Sequence, residues 1–164
     1  MNFRTKALTA GTVGIIGVAS IAVPFIAGWE GLRLDAYYDP VGIPTICYGH
    51  TRGVGIDNIT TKSYCDALLN EEIMLYLNAV DDYIHLPMPD TRRAALTSFA
   101  YNVGISNFKR STLRRLMNAG HTVAACNELK RWVFARGIKL RGLIRRREAE
   151  RQLCLIGTKA EKDV

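Results

Sequence analysis

The sequence predicts an α+β fold, in which a small antiparallel β-lobe near the N-terminus is followed by a series of helices. Residues 37–56 are rich in Gly, Tyr, Ile, Val and Thr and carry turn signals, a composition typical of a small sheet. From Thr61 onward, apolar residues recur at helical spacing. No linker or low-complexity tract interrupts residues 25–157, so most of the 164-residue chain is expected to form one domain.

Five helices are predicted after the sheet, each bounded by capping or helix-ending residues. Thr61 is the expected N-cap of the first, and either Asp90 or Thr91 is expected to cap the second. Gly104 ends the second helix and Gly157 follows the last. The five helices are expected at about 61–80, 90–103, 111–117, 122–132 and 143–155.

The chain is basic, with a net charge of +7 and a pI near 9.4. Between Lys109 and Arg151 there are thirteen Lys or Arg residues and only three acids. Such a surface attracts nucleic acid, anionic lipid or the acidic polymers of a bacterial wall. A solvated helix face accounts for the same pattern, so charge alone does not choose a partner.

Four cysteines are present, at positions 47, 65, 126 and 154, and none forms a CxxC motif. The three histidines, His50, His85 and His121, are widely separated. We therefore expect no zinc site and no other metal or cofactor. In an exported protein an even cysteine count suggests two disulfides, whereas in the cytosol the same residues would be buried thiols.

An uncharged segment, Ala7–Trp29, follows a short basic start. Its 23 residues are enough for a helix to cross a bilayer core of about 30 Å. Arg4 and Lys6 before it and Glu30 after it favour insertion with the N-terminus inside and the C-terminus outside. The segment also contains four glycines, five alanines and Pro24, so we expect it to insert only weakly.

Three interpretations of residues 1–29 compete: a cleaved signal peptide with its site near Ala22 or Ala27, a stable anchor or plain buried helix, and a weak signal anchor that inserts and then escapes. We favour the weak anchor. Small residues recur every three positions from Gly11 to Ser20, a stripe that would pack closely on a helix in the membrane or on the domain in water.

Two carboxylates, Glu30 and Asp39, bracket the change from the apolar segment to the predicted sheet. Cleavage of a glycosidic bond requires one protonated carboxyl that donates to the leaving oxygen and one ionised carboxylate. Glu30 follows apolar residues, which favour the neutral acid, and Asp39 lies in a polar turn region, which favours the ionised partner. Two acids at this spacing are common, so the pair alone is weak evidence.

The surrounding residues make the pattern specific, because residues 30–51 read EGLRLDAYYDPVGIPTICYGHT. This run closely resembles the active-site signature of phage-type lysozymes, glycoside hydrolase family 24, in which Glu, Asp and Thr are separated by eight and five residues. The spacing matches at Glu30, Asp39 and Thr45. One departure is Cys47 in place of the usual Gly, which we expect to be tolerated through a negative φ. Weaker similarity continues to about residue 157.

The resemblance implies a lysozyme-like fold, in which a β-lobe and a larger helical lobe are joined by a long helix and preceded by an apolar N-terminal helix. It implies a muramidase that cleaves peptidoglycan glycan strands and inverts the anomeric carbon. Glu30 is then the general acid, Asp39 the base that orients water, and Thr45 a ligand of that water. His50, Tyr37, Asn102 and Arg146 are expected to support the site or line its groove, with His50 packed near Glu30 and Arg146 ion-paired near it.

The same resemblance extends to endolysins with a signal-arrest-release segment. It implies that residues 1–29 are the weak signal anchor and 30–164 the catalytic domain. The chain is expected to be exported, held in the inner membrane through residues 7–29, and then released to the periplasm as a monomer that binds no nucleic acid. Collapse of the membrane potential is the expected release signal. We hypothesise disulfides Cys47–Cys65 and Cys126–Cys154, although four cysteines allow three pairings.

Rival functions remain at this stage. A lytic transglycosylase would cleave the same bond without water, but a water-holding pair at Asp39 and Thr45 favours hydrolysis. A basic wall-binding or nucleic-acid-binding protein would explain the charge. A membrane-disrupting amphipathic protein is disfavoured because the N-terminal segment has no basic face.

Overall fold

The computed structural model describes residues 10–158, with side chains from residue 17 onward, and its order of elements confirms the α+β fold. The α-helices are α1 (Ala10–Glu30), α2 (Lys62–Tyr83), α3 (Asp90–Val103), α4 (Ile105–Arg110), α5 (Thr112–Asn118), α6 (Thr122–Glu128) and α7 (Arg141–Leu155), with a 3-10 helix at Leu129–Arg131. The strands are β1 (Arg33–Tyr38), β2 (Pro44–Cys47), β3 (Phe134–Ala135) and β4 (Ile138–Lys139).

The β-lobe is built on the antiparallel pair β1–β2, whose register places Tyr37 opposite Thr45. Isolated bridges join Asp35 to Ile59 and Ile46 to His50. The predicted sheet, residues 37–56, began too late, since β1 starts at Arg33. It also extended too far, since residues 48–60 form turns around these bridges rather than a further strand.

Helix α2 connects the two lobes. Its predicted N-cap is confirmed, since the Thr61 hydroxyl accepts a hydrogen bond from the Tyr64 N–H at 3.3 Å. The helix runs to Tyr83, one turn beyond the expected end near Val80. Its buried positions fall at helical spacing and enter a core beneath the β-lobe at one end and the core of the helical lobe at the other. They are Cys65, Leu69, Ile73, Leu77, Ala79 and Val80.

Helix α1 lies against α2 and α3, and its last residue is Glu30. Val18, Ala22 and Ile26 form its buried face, each with 0% of its surface exposed. At Gly17 a Cβ atom would press on the carboxylate of Asp90, so α1 approaches the start of α3 closely at this glycine.

The small-residue stripe of α1 is therefore not a single packing face, because Gly17 meets α3 while Ser20 is exposed. The side chains of residues 10–16 and all of residues 1–9, which include Arg4 and Lys6, lie outside the described residues. Among the helices of residues 10–158, none combines the length and the hydropathy required to cross a membrane.

Both predicted disulfide pairs are present. Cys47–Cys65 joins the end of β2 to the first turn of α2, with Cα atoms 5.0 Å apart. Cys126–Cys154 joins α6 to the end of α7 across a Cα distance of 5.8 Å. The first disulfide fixes the β-lobe to the interlobe helix, and the second closes the helical lobe.

The helices α3 and α6 begin at Asp90 and Thr122, as predicted, but some other predictions were wrong. Pro89 rather than Asp90 or Thr91 occupies the N-cap position of α3, and it makes no side-chain cap bond. The helix expected through Trp132 ends at Glu128 and continues as the 3-10 helix. As predicted, Gly104 ends α3, with φ at 87°. The unpredicted elements are α4, the hairpin β3–β4 and the first turn of α7, Arg141–Gly142; six residues of α4 and two per strand are too few to show periodicity.

Cys47 has φ at 60°, so the expected negative φ was wrong. Its backbone is in the left-handed region, where a glycine avoids about 1 kcal/mol of steric cost that other residues carry. The disulfide to Cys65 holds a non-glycine residue at a position where a glycine fits more easily.

This conformation gives a stability prediction. With the disulfide removed in both proteins, C47G/C65A is expected to be about 1 kcal/mol more stable than C47A/C65A, because glycine adopts a φ of 60° without steric cost. Urea unfolding of the two variants measures the difference. A more stable alanine variant would contradict the left-handed conformation at this position.

Candidate active site

Glu30 lies at the C-terminal end of α1 and is ion-paired with Arg146 of α7. Arg146 Nη1 donates to Glu30 Oε1 at 2.7 Å. The Arg146 side chain is 5% exposed and that of Glu30 is 22% exposed, so the carboxylate is open to a ligand while the cation is enclosed. The predicted ion pair of Arg146 with Glu30 is thus present, and it adds a guanidinium to the apolar surroundings expected for Glu30 at the end of α1.

Asp39 directly follows β1, in the turn that leads to β2. Its Oδ1 atom accepts hydrogen bonds from the backbone N–H groups of Val41, at 2.9 Å, and Ile43, at 2.8 Å. Gly42, with φ at 83°, gives the turn the left-handed residue that it requires. The turn thus fixes the carboxylate by one oxygen, which leaves Oδ2 to face a ligand.

Thr45 lies on β2, 3% exposed, opposite Tyr37. Its hydroxyl donates to the Ile43 carbonyl at 2.9 Å. Since the single hydroxyl proton is used in that bond, Thr45 Oγ1 is left with lone pairs that accept. Ile43 therefore aligns both Asp39, through its N–H, and Thr45, through its carbonyl.

Behind Glu30, a buried polar cluster joins α7 to α3. Glu150, 0% exposed, accepts from Arg146 Nε at 3.1 Å and from Arg147 Nη1 at 2.5 Å. The Ser98 hydroxyl donates to Glu150 Oε1 at 2.7 Å. Arg147 also donates to the side-chain carbonyl of Asn102, which is exposed at the end of this chain of contacts.

His50 pairs with Glu72 of α2 rather than with Glu30. Its Nδ1 lies 2.6 Å from Glu72 Oε1, and its Nε2 lies 2.8 Å from the Arg52 carbonyl. The Tyr101 hydroxyl donates to the other oxygen of Glu72 at 3.4 Å. Burial raises the pKa of Tyr101 well above its ordinary value, and the negative charges of Glu72 and Glu30 add to that rise.

The raised pKa predicts how stability changes at high pH. Tyr101 stays neutral in the folded protein, whereas in the unfolded chain it ionises near pH 10. Its contribution to the free energy of unfolding is therefore present below pH 10 and lost as the pH rises above it. We expect Y101F to reduce the alkaline loss of unfolding free energy, by at most about 1.4 kcal/mol per pH unit. Denaturant unfolding between pH 9 and 11 measures this.

Tyr64 provides the matched control, because its side chain is exposed. Y64F is expected to follow the wild-type pH dependence. Equal effects of Y101F and Y64F would contradict the buried, charge-facing environment of Tyr101.

The structure places the predicted residues in three groups. Glu30 and Arg146 form an ion pair, to which Asn102 is linked through Arg147 and Glu150. Asp39, Thr45 and Tyr37 share the β1–β2 hairpin, and His50 belongs to a separate contact with Glu72. Tyr37 is half-buried beneath Arg33, whose guanidinium carbon lies 4.7 Å from its ring centroid.

Sequence reasoning missed Glu72, Tyr101 and Glu150. Glu150 carried a signal, since it lies four residues after Arg146 and three after Arg147, the spacings at which helical side chains meet. Glu72 had none that distinguished it from the adjacent Glu71. Tyr101 stands within a motif already noted, but nothing in the sequence pointed it toward Glu72.

Within the described part of the chain, no cluster of three or more His, Cys, Asp or Glu residues could hold a metal ion. A cavity of about 410 Å³ lies on the helical lobe, away from Glu30 and Asp39. It is lined by Asn107, Arg110, Ser111, Thr112, Glu128, Arg131 and Trp132. None of the predicted catalytic side chains lines this cavity.

Comparison with known proteins shows the family to which the chain belongs. The phage lysozyme family model matches residues 27–150. A SAR-endolysin of bacteriophage PS119 is 42% identical over 161 residues, which span 94% of this chain and 95% of that protein.

Two solved structures of one endolysin are also similar. The active form of the P1 phage endolysin Lyz has a TM-score of 0.78 at 28% identity, covering 89% of this chain and 94% of that chain. Its secreted inactive form has a TM-score of 0.53 at 26% identity, covering 88% and 94%. The present structure is thus closer to the active form. Since the family model covers most of the sequence, the chain belongs to the phage lysozyme family and is a muramidase of the endolysin type.

Proposed function

We propose that this endolysin hydrolyses the β-1,4 bond between N-acetylmuramic acid and N-acetylglucosamine by a single inverting displacement. Glu30 gives its proton to the leaving O4 of N-acetylglucosamine as the C1–O4 bond breaks. Water attacks C1 from the opposite face and loses a proton to Asp39. The product is a reducing N-acetylmuramic acid end of inverted configuration, and room for the water requires carboxyl groups about 6.5–9.5 Å apart.

The observation that carries this proposal is the pair of acceptors on the β1–β2 hairpin. Thr45 Oγ1 has committed its proton to Ile43, and Asp39 is held by Oδ1. Both groups then accept hydrogen bonds from one water, which directs a lone pair of the water oxygen away from them and toward the sugar. A transglycosylase would have no use for this arrangement, so we favour hydrolysis.

The supporting residues have structural roles in this proposal. Arg146 orients the Glu30 carboxyl, and Arg147 orients Asn102, which we assign to the glycan groove together with Tyr37. His50 anchors the β-lobe to α2 through Glu72. The mechanism requires neither nucleic acid nor a second copy of the chain.

We further propose that residues 1–29 hold the enzyme inactive in the inner membrane, with the C-terminus outside, until they are released. In the folded domain, α1 buries Val18, Ala22 and Ile26 and delivers Glu30 to Arg146. A segment inside the bilayer cannot make those contacts, so Glu30 would not reach Arg146. The greater similarity to the active P1 form supports this assignment of the α1-docked structure.

The test strengthens the anchor without changing the domain. Ser20 and Gly28 are exposed on α1, and a Cβ at Gly28 would meet no atom within 4 Å. We expect S20L/G28L to remain in the membrane fraction and to hydrolyse peptidoglycan at no more than about a tenth of the soluble wild-type rate per molecule.

Any S20L/G28L protein that reaches the soluble fraction serves as the control and is expected to match wild type, because both substitutions face water. Equal specific activity in membrane and soluble fractions would end the proposal of membrane inhibition. That outcome would leave the assignment of Glu30, Asp39 and Thr45 untouched.

A further inference from the structure

The carboxylate of Glu150 has no role in the proposed mechanism, but Arg146 links it to the proposed acid, Glu30. Glu150 is fully buried, and three donors surround it: the guanidiniums of Arg146 and Arg147 and the hydroxyl of Ser98. Burial raises the pKa of Glu150, and Arg147, Ser98 and Arg146 oppose that rise. A fully buried carboxylate is costly unless it is compensated in this way.

Arg146 lies between two carboxylates. Its Nε donates to Glu150 at 3.1 Å, and its Nη1 donates to Glu30 at 2.7 Å. A further donation from Nη2 to the Ser98 carbonyl, at 3.5 Å, is at the limit of a hydrogen bond. Because a guanidinium is planar and rigid, fixing Nε by Glu150 also fixes the direction in which Nη1 points.

We propose that Glu150 is a positioning residue of this muramidase, which aims the Arg146 guanidinium at Glu30 and balances its charge, and so sets the pH above which Glu30 stops acting as an acid. This inference rests on the proposed role of Glu30. It does not make Glu150 a catalytic residue, since Glu150 has no access to substrate.

The charges around Glu30 and Arg146 determine whether a substitution makes the surroundings of Glu30 more positive or less positive. Arg146 and Arg147 of α7 are cations, Glu150 is their anion, and Ser98 of α3 adds a neutral donor. On the side of Tyr101, the negative charges of Glu30 and Glu72 act together on its hydroxyl. Together, Arg146, Arg147 and Glu150 present a net charge of about +1 to Glu30, and removal of the charge on Glu150 would double it. Removal of Arg147 would bring it to zero.

Three variants test the direction in which the pH profile moves: E150Q, R147Q and the charge-balanced double variant E150Q/R147Q. The measurement is kcat/KM on soluble peptidoglycan fragments as a function of pH, with folding checked by near-UV circular dichroism. We expect the alkaline limb to move down by about one pH unit in E150Q, because excess positive charge favours the ionised Glu30. It should move up in R147Q and return to near the wild-type position in the double variant.

A purely structural role for Glu150 would lower activity at all pH values in every variant and leave the alkaline limb in place, which would overturn the proposal. If E150Q does not fold, R147Q and E150Q/R147Q decide the question, because they differ only at residue 150 and the alkaline limb should lie lower in the double variant. Failure of the proposed function is distinguishable, because E30Q would then retain activity. An inactive E30Q with unshifted limbs in the other variants would defeat only the role of Glu150.

Discussion

Replacing Glu30 with glutamine is expected to lower the rate of peptidoglycan clearing by about 10²–10⁴-fold, the range that general acid catalysis supplies. The amide oxygen of glutamine can still accept the hydrogen bond from Arg146, so the link between the end of α1 and α7 is kept. The amide has no proton that it can give to the leaving sugar oxygen. Turbidity clearing of purified peptidoglycan, with equal concentrations of folded protein, measures the loss.

The matched control is E71Q, the same substitution at an exposed position on α2. It is expected to clear peptidoglycan at the wild-type rate. Equal rates for E30Q and wild type would refute the assignment of Glu30. Mass spectrometry of the wild-type products separates the two reaction types, since reducing N-acetylmuramic acid ends indicate hydrolysis and anhydro ends indicate a transglycosylase.

Truncation of Ile26 is expected to have the largest effect on stability. Ile26 is 0% exposed and belongs to the core that α1 shares with Ile46 and Leu69. Ile26→Ala should lower the free energy of unfolding by about 2–5 kcal/mol, from lost burial and the cavity that remains. Denaturant unfolding of the released protein measures it.

Ile26 also lies one turn before Glu30, so we expect the variant to lose kcat/KM at temperatures where the protein as a whole is still folded. The control is Ile59→Ala, an identical truncation at a side chain that is 77% exposed. It should change the free energy of unfolding by no more than about 0.5 kcal/mol. Similar effects at the two positions would contradict the docking of α1 on the domain.

The features that could be predicted from sequence are those set by local chemistry. The hydroxyl cap at Thr61 and the glycine stop at Gly104 follow from the backbone requirements of a helix end. Helix α2 shows a periodic apolar face over 22 residues, long enough to be unambiguous. The positions of Glu30, Asp39 and Thr45 came from a motif whose spacing matched in full.

The remaining features depend on contacts between distant elements. The glycine that the lysozyme frame usually has at position 47 was a signal for the observed φ of 60°, since glycine favours the left-handed region, but the cysteine in this chain conceals that requirement. The ion pair between Glu30 and Arg146 joins residues 116 positions apart, and which arginine of the run makes it depends on how α1 and α7 each pack on α3. The choice of Glu72 over Glu71 by His50 depends likewise on the rotation of α2.

Helix α1 is exposed to water along a face of Ser20, Pro24 and Gly28, spaced four residues apart, while the opposite face is buried. In the proposed cycle the same segment is first surrounded by lipid. It later packs on the domain with one face in water. Large apolar residues on the outer face would stabilise the membrane-inserted state, but they would promote aggregation of the released protein. The weak insertion expected of the segment would then follow from its second role as a surface helix.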